Sequence, residues 1–258
     1  MSETEIPKLN APIVLVPGLW GFDRIVACGK TLADYFHGIP ERLEAVGNRV
    51  LVARVSPTEG VARRAADLKR FIESELPSGP FHLIGHSMGG LDSRYLAAKL
   101  GMEVRVLSVT SVGTPHRGTA FADWGVSRFA RLVGPLLRYL RIPHQAFFDL
   151  TTERCLRFNN EVRDVPGVRY YSIAGQCEED WLGAEWLFPY SLVAKAEGAN
   201  DGVVSVASAT WGEHTEIWAG DHLNLVNWPN RHAIRRGEWP NRAPDYGRIV
   251  RRLSQAGF

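Results

Sequence analysis

No apolar run in this chain is long enough to cross a bilayer; the longest, such as Ile13–Val16, have the length of single strands. Cysteine is scarce. Cys28, Cys155 and Cys177 are odd in number, far apart and without metal-ligand spacing, which argues against a disulfide framework or a zinc site. Charge of one sign is scarce too: the net +2 gives no electrostatic reason to expect nucleic acid as a partner. Internal repeats and low-complexity linkers are missing. The first eight residues carry two glutamates and a proline and lack the basic-then-apolar layout of a secretory leader. The protein is therefore expected either to stay inside the cell or to have lost a leader before this numbering begins.

What is present suits an ordered globular protein. Hydrophobic residues make up 45% and charged residues 22%, enough for a core and an ordinary surface, and 258 residues suit one large domain. Strand-like and helix-like segments alternate through the first half. Residues 12–16 read as a buried strand closed by Pro17-Gly18, and 49–55 as a second. Over 59–76, Val61, Ala65, Leu68, Phe71, Ile72 and Leu76 recur at helical spacing, with Arg and Lys assigned to the other face. Then come a strand at 81–85, a helix at 88–100 and strands at 104–110 and 168–174. Such alternation predicts an α/β fold, a mostly parallel sheet with helices on both faces.

The stretch between the last two strands exceeds a simple crossover. Within 127–141, Phe129, Leu132, Val133, Leu136, Leu137 and Leu140 form one apolar stripe, and Arg128, Arg131, Arg138 and Arg141 lie away from it. Either this helix faces the core with a solvated basic side, or it is a lid whose apolar face covers an acyl site and meets lipid. The expected insertion spans about residues 116–165, with a second cap segment at 178–198.

Gly85-His86-Ser87-Met88-Gly89-Gly90 falls between a predicted strand and a predicted helix. A serine on so sharp a turn is strained, its hydroxyl projects above the sheet, and the following helix aims its positive end at developing negative charge. The alternative is a tight turn in a non-catalytic domain. An oxyanion needs two donors. The backbone N–H of Met88 is one candidate, and that of Leu19, in Val16-Pro17-Gly18-Leu19-Trp20-Gly21, is the other.

Serine needs an imidazole to take its proton and a carboxylate to fix that imidazole, and on this kind of elbow the acid and then the base follow the serine. His37, His82 and His86 precede it, and His116 and His144 follow too soon. Of His214, His222 and His232, the second comes just after the strand-like run 215–218, at its carboxyl end; His214 lies at the other end, and His232 in a Pro-, Trp- and Arg-rich loop. For the acid, Asp201 in Asn200-Asp201-Gly202 competes with Glu178, Glu179 and Asp180. Asp221 is badly placed to reach its own neighbour's ring.

Taken together, residues 12–23, 85–95, 112–119, 200–205 and 221–224 make the chain resemble the bacterial true lipases, the pseudomonad-like triacylglycerol lipases of the α/β-hydrolase superfamily. The resembling blocks run in order from residue 12 to about 226. This resemblance implies Ser87 as nucleophile, Asp201 as acid and His222 as base, with Leu19 and Met88 supplying the oxyanion N–H groups. Three departures stand out. Pro17 replaces a common histidine, and Ala207 the cysteine of the family's disulfide. Asn224 replaces a calcium-ligating aspartate, so no family-type calcium site and no cofactor are expected.

The expectation is thus a serine carboxylic-ester hydrolase, a lipase on acyl glycerols and other fatty-acyl esters, working through an acyl-enzyme with transient contact at lipid–water interfaces. A short-chain esterase, an acyltransferase or thioesterase, and a non-catalytic binding module are the alternatives.

Overall fold

The computed structural model describes residues 6–19, 24–27, 30–132, 145–183, 186–237 and 241–258. Strand β1 (Ile13–Val16) is buried on both faces, and its residues show why. Ile13 and Leu15 enter one apolar cluster while Val14 and Val16 enter another, the two-residue alternation of a strand between two layers. A hairpin of β2 (Arg24–Ala27) and β3 (Lys30–Asp34) follows. Next come α1 (Ile39–Glu44), β4 (Val50–Val52) and α2 (Val61–Glu75). Strand β5 (Phe81–His86) leads into α3 (Met88–Lys99) and then β6 (Val106–Val112).

After β6 the chain inserts α4 (Ala120–Leu132), α5 (Gln145–Asp149) and α6 (Thr152–Glu161) before β7 (Arg169–Gln176). Helices α7 (Leu187–Glu197) and α8 (Val206–Ala209) separate β7 from β8 (His214–Ala219), and α9 (Arg231–Arg236) and α10 (Ala243–Gln255) end the chain.

Six strands pair in the order β4-β1-β5-β6-β7-β8, every neighbour parallel. From β4 the chain crosses back over β1 to reach β5. At such a switch point the carboxyl ends of the strands open a crevice. Helices α2 and α3 contribute Leu68, Ile72, Leu96 and Ala97 to one face of the sheet; α1 and α10 contribute Ile39, Leu43, Ile249 and Leu253 to the other. This is the α/β sandwich that the alternation predicts.

Several details differ from the sequence reading. Helix α2 runs from 61 to 75, and Arg64 does not share the solvated face with Arg63: it is fully buried. Its side chain leaves water because three acceptors wait for it inside. The insertion's first helix begins at Ala120, seven residues before the predicted start. At Gly125 the Phe147 ring of α5 packs against the helix. Residues 133–144, most of the apolar stripe, and His144 lie outside the described residues. Around His232 the predicted loop is a helix, because Asn230 Oδ1 accepts from the Ala233 N–H and Gly237, at φ 66°, closes the end. The hairpin β2–β3 has no counterpart in the sequence reading.

Cys155 and Cys177 are buried free thiols, and Cys28 lies outside the described residues. No described helix is long and apolar enough to cross a membrane.

Candidate functional site

Five of the parallel strands end at one place, and each delivers a piece of the site. Strand β5 passes directly into α3 through Ser87, which is held at φ 52°, ψ −126°, a conformation that L residues rarely adopt. A side chain at Gly85 would overlap Gly89 O, and one at Gly89 would overlap Val16 O, so this elbow closes only over glycine. Ser87 N–H donates to Val112 O at 2.8 Å, which ties the elbow to the end of β6.

The chain leaving β7 returns through the Asn200-Asp201-Gly202 turn. Asp201 is fully buried, and its two carboxylate oxygens have separate tasks. Oδ1 accepts from the N–H groups of Val203 at 3.1 Å and Val204 at 2.8 Å. Oδ2 lies 2.7 Å from His222 Nδ1, which donates to it. His222 N–H also donates to Asp201 O at 2.8 Å, so backbone and side chain both join the two loops. An imidazole anchored at Nδ1 leaves Nε2 free to accept a proton.

Gly113, one residue past β6, links this pair to the serine. Val112 carries the carbonyl that holds Ser87, and a Cβ on Gly113 would lie 3.2 Å from Asp201 Oδ2 and 3.3 Å from His222 Nδ1. Ser87 is 9% exposed and His222 7%: the site is shielded from water yet reachable.

Leu19 lies in the turn after β1, and its side chain packs in one cluster with Met88, Leu91 and Val61. The loop before it is held firmly. Arg64 Nη2 donates to Pro17 O at 2.6 Å, Nη1 to Ser56 O at 2.6 Å, and Nε to Asp92 Oδ2 at 2.8 Å. Burial pushes the Asp92 carboxyl upward against the pull of Arg64.

The structure therefore brings Asp201 and His222 together, with Ser87 and the Leu19 loop around them. It does not bring in the rivals: Glu178, Glu179, Asp180 and His214 are exposed. Asp221 is buried, but its Oδ1 accepts from the N–H groups of Leu223 and Asn224 and its Oδ2 from Asn230 Nδ2. It shapes the loop that carries His222.

Among the described residues no group of three or more His, Cys, Asp or Glu side chains is placed to hold a metal ion. The Asn224 amide is engaged at both ends, accepting from Asp221 N–H at 3.0 Å and donating to Trp228 O at 2.8 Å. The roles of Tyr35, Arg64 and His86 were missed in the sequence. A lone arginine beside the apolar stripe of α2 was the available signal for one of them; Tyr35 and His86 offered none.

The model of the alpha/beta hydrolase fold family matches residues 54–239. A triacylglycerol lipase of Vibrio cholerae is 34% identical over 88% of this chain and 83% of its own length. Triacylglycerol lipase 2 of Saccharomyces cerevisiae is 32% identical over 77% of this chain, which spans only 64% of that relative. Among solved structures, a metagenomic carboxyl esterase superposes with a TM-score of 0.75 over 98% of this chain and 80% of its own, at 20% identity. Staphylococcus hyicus lipase does so at 0.70, covering 99% and 97%, at 16% identity. At these identities the two structures speak for the fold alone.

Proposed function

This chain belongs to the α/β-hydrolase fold family, and we propose that it is a serine carboxylic-ester hydrolase with Ser87 as nucleophile, His222 as base and Asp201 as acid. The observation that supports this reading most is the 2.7 Å hydrogen bond from His222 Nδ1 to a buried carboxylate, beside a strained serine on a strand-to-helix turn.

Ser87 Oγ attacks the ester carbonyl as His222 Nε2 takes its proton. Asp201 holds the ring in the needed tautomer and stabilises the imidazolium. The N–H groups of Leu19 and Met88 donate to the oxyanion, where preorganised donors contribute the most. His222 then protonates the departing alcohol, and water deacylates the enzyme by the same path. The scheme needs no metal or organic cofactor.

For substrate class, the reading is lipase-like, as the names of the relatives suggest. In this reading helices α4 to α6, together with residues 178–183 and 186–198, act as its cap. The Trp186 ring lies 6.4 Å from the His222 ring, and at the next residue α7 begins, whose Phe188, Leu192 and Lys195 line an open, shallow and mostly apolar depression with Trp124 of α4. An exposed apolar surface beside the proposed base favours a fatty-acyl over a small polar substrate.

Ser87→Ala is expected to abolish turnover of p-nitrophenyl esters and labelling by an aryl phosphonate. Retained turnover overturns the nucleophile. An activity profile peaking at acetate, or preferred transfer to added alcohols or thiols over water, shifts the reading to an esterase, or to an acyltransferase or thioesterase.

A further inference from the structure

His86 precedes the proposed nucleophile in the chain and is almost wholly buried, yet every polar atom of its ring is in use. Nδ1 lies 2.7 Å from Tyr35 Oη, and Nε2 lies 3.1 Å from His222 O. Tyr35 Oη in turn accepts from Gly18 N–H at 3.0 Å. These three contacts form one chain, and chemistry dictates its direction. A backbone N–H only donates, so the Tyr35 oxygen accepts from Gly18 and its own hydrogen goes to His86 Nδ1. A backbone carbonyl only accepts, so His86 carries its proton on Nε2 and gives that hydrogen bond to His222 O. Only one tautomer satisfies both ends.

We infer that Tyr35 and His86 are positioning residues, a hydrogen-bonded strut that locks the oxyanion loop to the backbone of His222 across the floor of the site. This rests on the reading of Ser87, Leu19 and His222 given above. Neither side chain has to meet substrate. A Cβ on Gly18 would lie 2.8 Å from both Ser87 Cβ and Tyr35 Oη, so the strut passes directly beneath the elbow. The peptide joining Pro17 to Gly18 is clamped at both ends: Arg64 donates to its carbonyl and its N–H donates to Tyr35. The peptide so fixed is the one before the Leu19 N–H, the proposed oxyanion donor.

Burial keeps the strut in one protonation state. It pushes His86 well below the usual imidazole range, helped by the neighbouring His222, and pushes the Tyr35 phenol up. A second proton on His86 would set an N–H against the Tyr35 O–H. An apolar pair would fill this space as well but would fix no angle. Catalysis responds to angles and sub-ångström placement, because donors count only where the oxyanion forms.

Four variants test this. Tyr35→Phe removes one oxygen and is expected to lower kcat on p-nitrophenyl butyrate about tenfold with KM within about twofold, since the lost interaction serves the transition state. His86→Leu should do the same. His86→Gln presents an amide O and N spaced much as the ring nitrogens are, accepting from Tyr35 and donating to His222 O, and should recover most of the loss. In the double variant Tyr35→Phe/His86→Leu the effects should not add, because either change alone cuts the chain.

Tyr35→Phe with wild-type kcat overturns the strut, and so does His86→Gln as slow as His86→Leu at equal Tm. If His86→Leu does not fold, Tyr35→Phe decides. Phosphonate labelling of the wild type keeps the two readings apart: no label on Ser87 ends the hydrolase proposal, whereas a label with unperturbed variants ends only the strut.

Discussion

Asp201 meets His222 with one oxygen and the backbone with the other: Oδ2 accepts from the ring at 2.7 Å while Oδ1 accepts from the N–H groups of Val203 and Val204. This division makes Asp201→Asn informative. Two N–H donors require oxygen at the first position, so the new amide must turn its NH2 toward His222 Nδ1. The ring then has to accept there, which moves its proton to Nε2, the atom proposed to take the serine proton. A fall in kcat of about 10³–10⁴ with little change in KM is expected. A drop below tenfold in steady-state assays would remove Asp201 from the mechanism.

Gly113 has φ 58° and three neighbours crowding the place of a Cβ: Leu225 Cδ1 at 2.8 Å, Asp201 Oδ2 at 3.2 Å and His222 Nδ1 at 3.3 Å. Gly113→Ala should therefore cost about 1–3 kcal/mol in backbone strain alone. Because the methyl lands on the proposed acid–base pair, kcat should fall by more than tenfold at temperatures where the variant is fully folded. Urea titration and kinetics on one preparation check both parts.

Arg64 and Asp92 are both fully buried and paired at 2.8 Å. Arg64→Leu leaves a carboxylate without its cation and should destabilise by about 3–5 kcal/mol. Arg64→Leu/Asp92→Leu should regain most of that loss, since an apolar pair of similar bulk often substitutes for a buried ion pair. Activity should not return with stability, because the Pro17 carbonyl has still lost its donor. A double variant as active as the wild type would show that the loop needs no clamp.

Acid should unfold this protein early. Burial pushes His82 down to about 4 and holds His86 and His116 well below their ordinary value of 6.5. Below pH 6.5 the unfolded chain binds protons on these rings while the fold does not, so the unfolded state gains and stability falls as pH drops. Each ring contributes about 1.4 kcal/mol per pH unit until its folded value is reached. Urea midpoints measured from pH 7 to pH 4 should decline steeply, and His82→Asn should flatten the decline by one proton. A midpoint unchanged between pH 7 and pH 5 contradicts this account.

Much of this arrangement is legible in the sequence where one rule dominates locally. Strands β1 and β4 are unbroken apolar runs, and the Ser87 elbow has its glycines at fixed offsets. The proposed acid was harder. Asp201 and the 178–180 carboxylates both follow β7, and burial separates them, which is a property of the folded chain rather than of spacing. Arg64 was misassigned because periodicity counts any arginine as solvent-facing, whereas three interior acceptors outweigh its desolvation. His86 was set aside as a base, and its partners are 51 and 136 positions away, beyond any local pattern. The helix after Asn230 was hidden by a Pro- and Trp-rich composition, although its cap and its closing glycine are both ordinary helix signals.

Because all six strands run the same way, no hairpin joins neighbours in this sheet, and each pairing waits for a long stretch of chain to loop back. Residues 18, 87, 201 and 222 gather only once β8, the last strand and an outer one, has docked on β7. A partial fold that lacks β8 is therefore expected to hold no working site. On dilution from denaturant, ester turnover should lag behind the return of helical signal, and its appearance dates the final closing of the sheet.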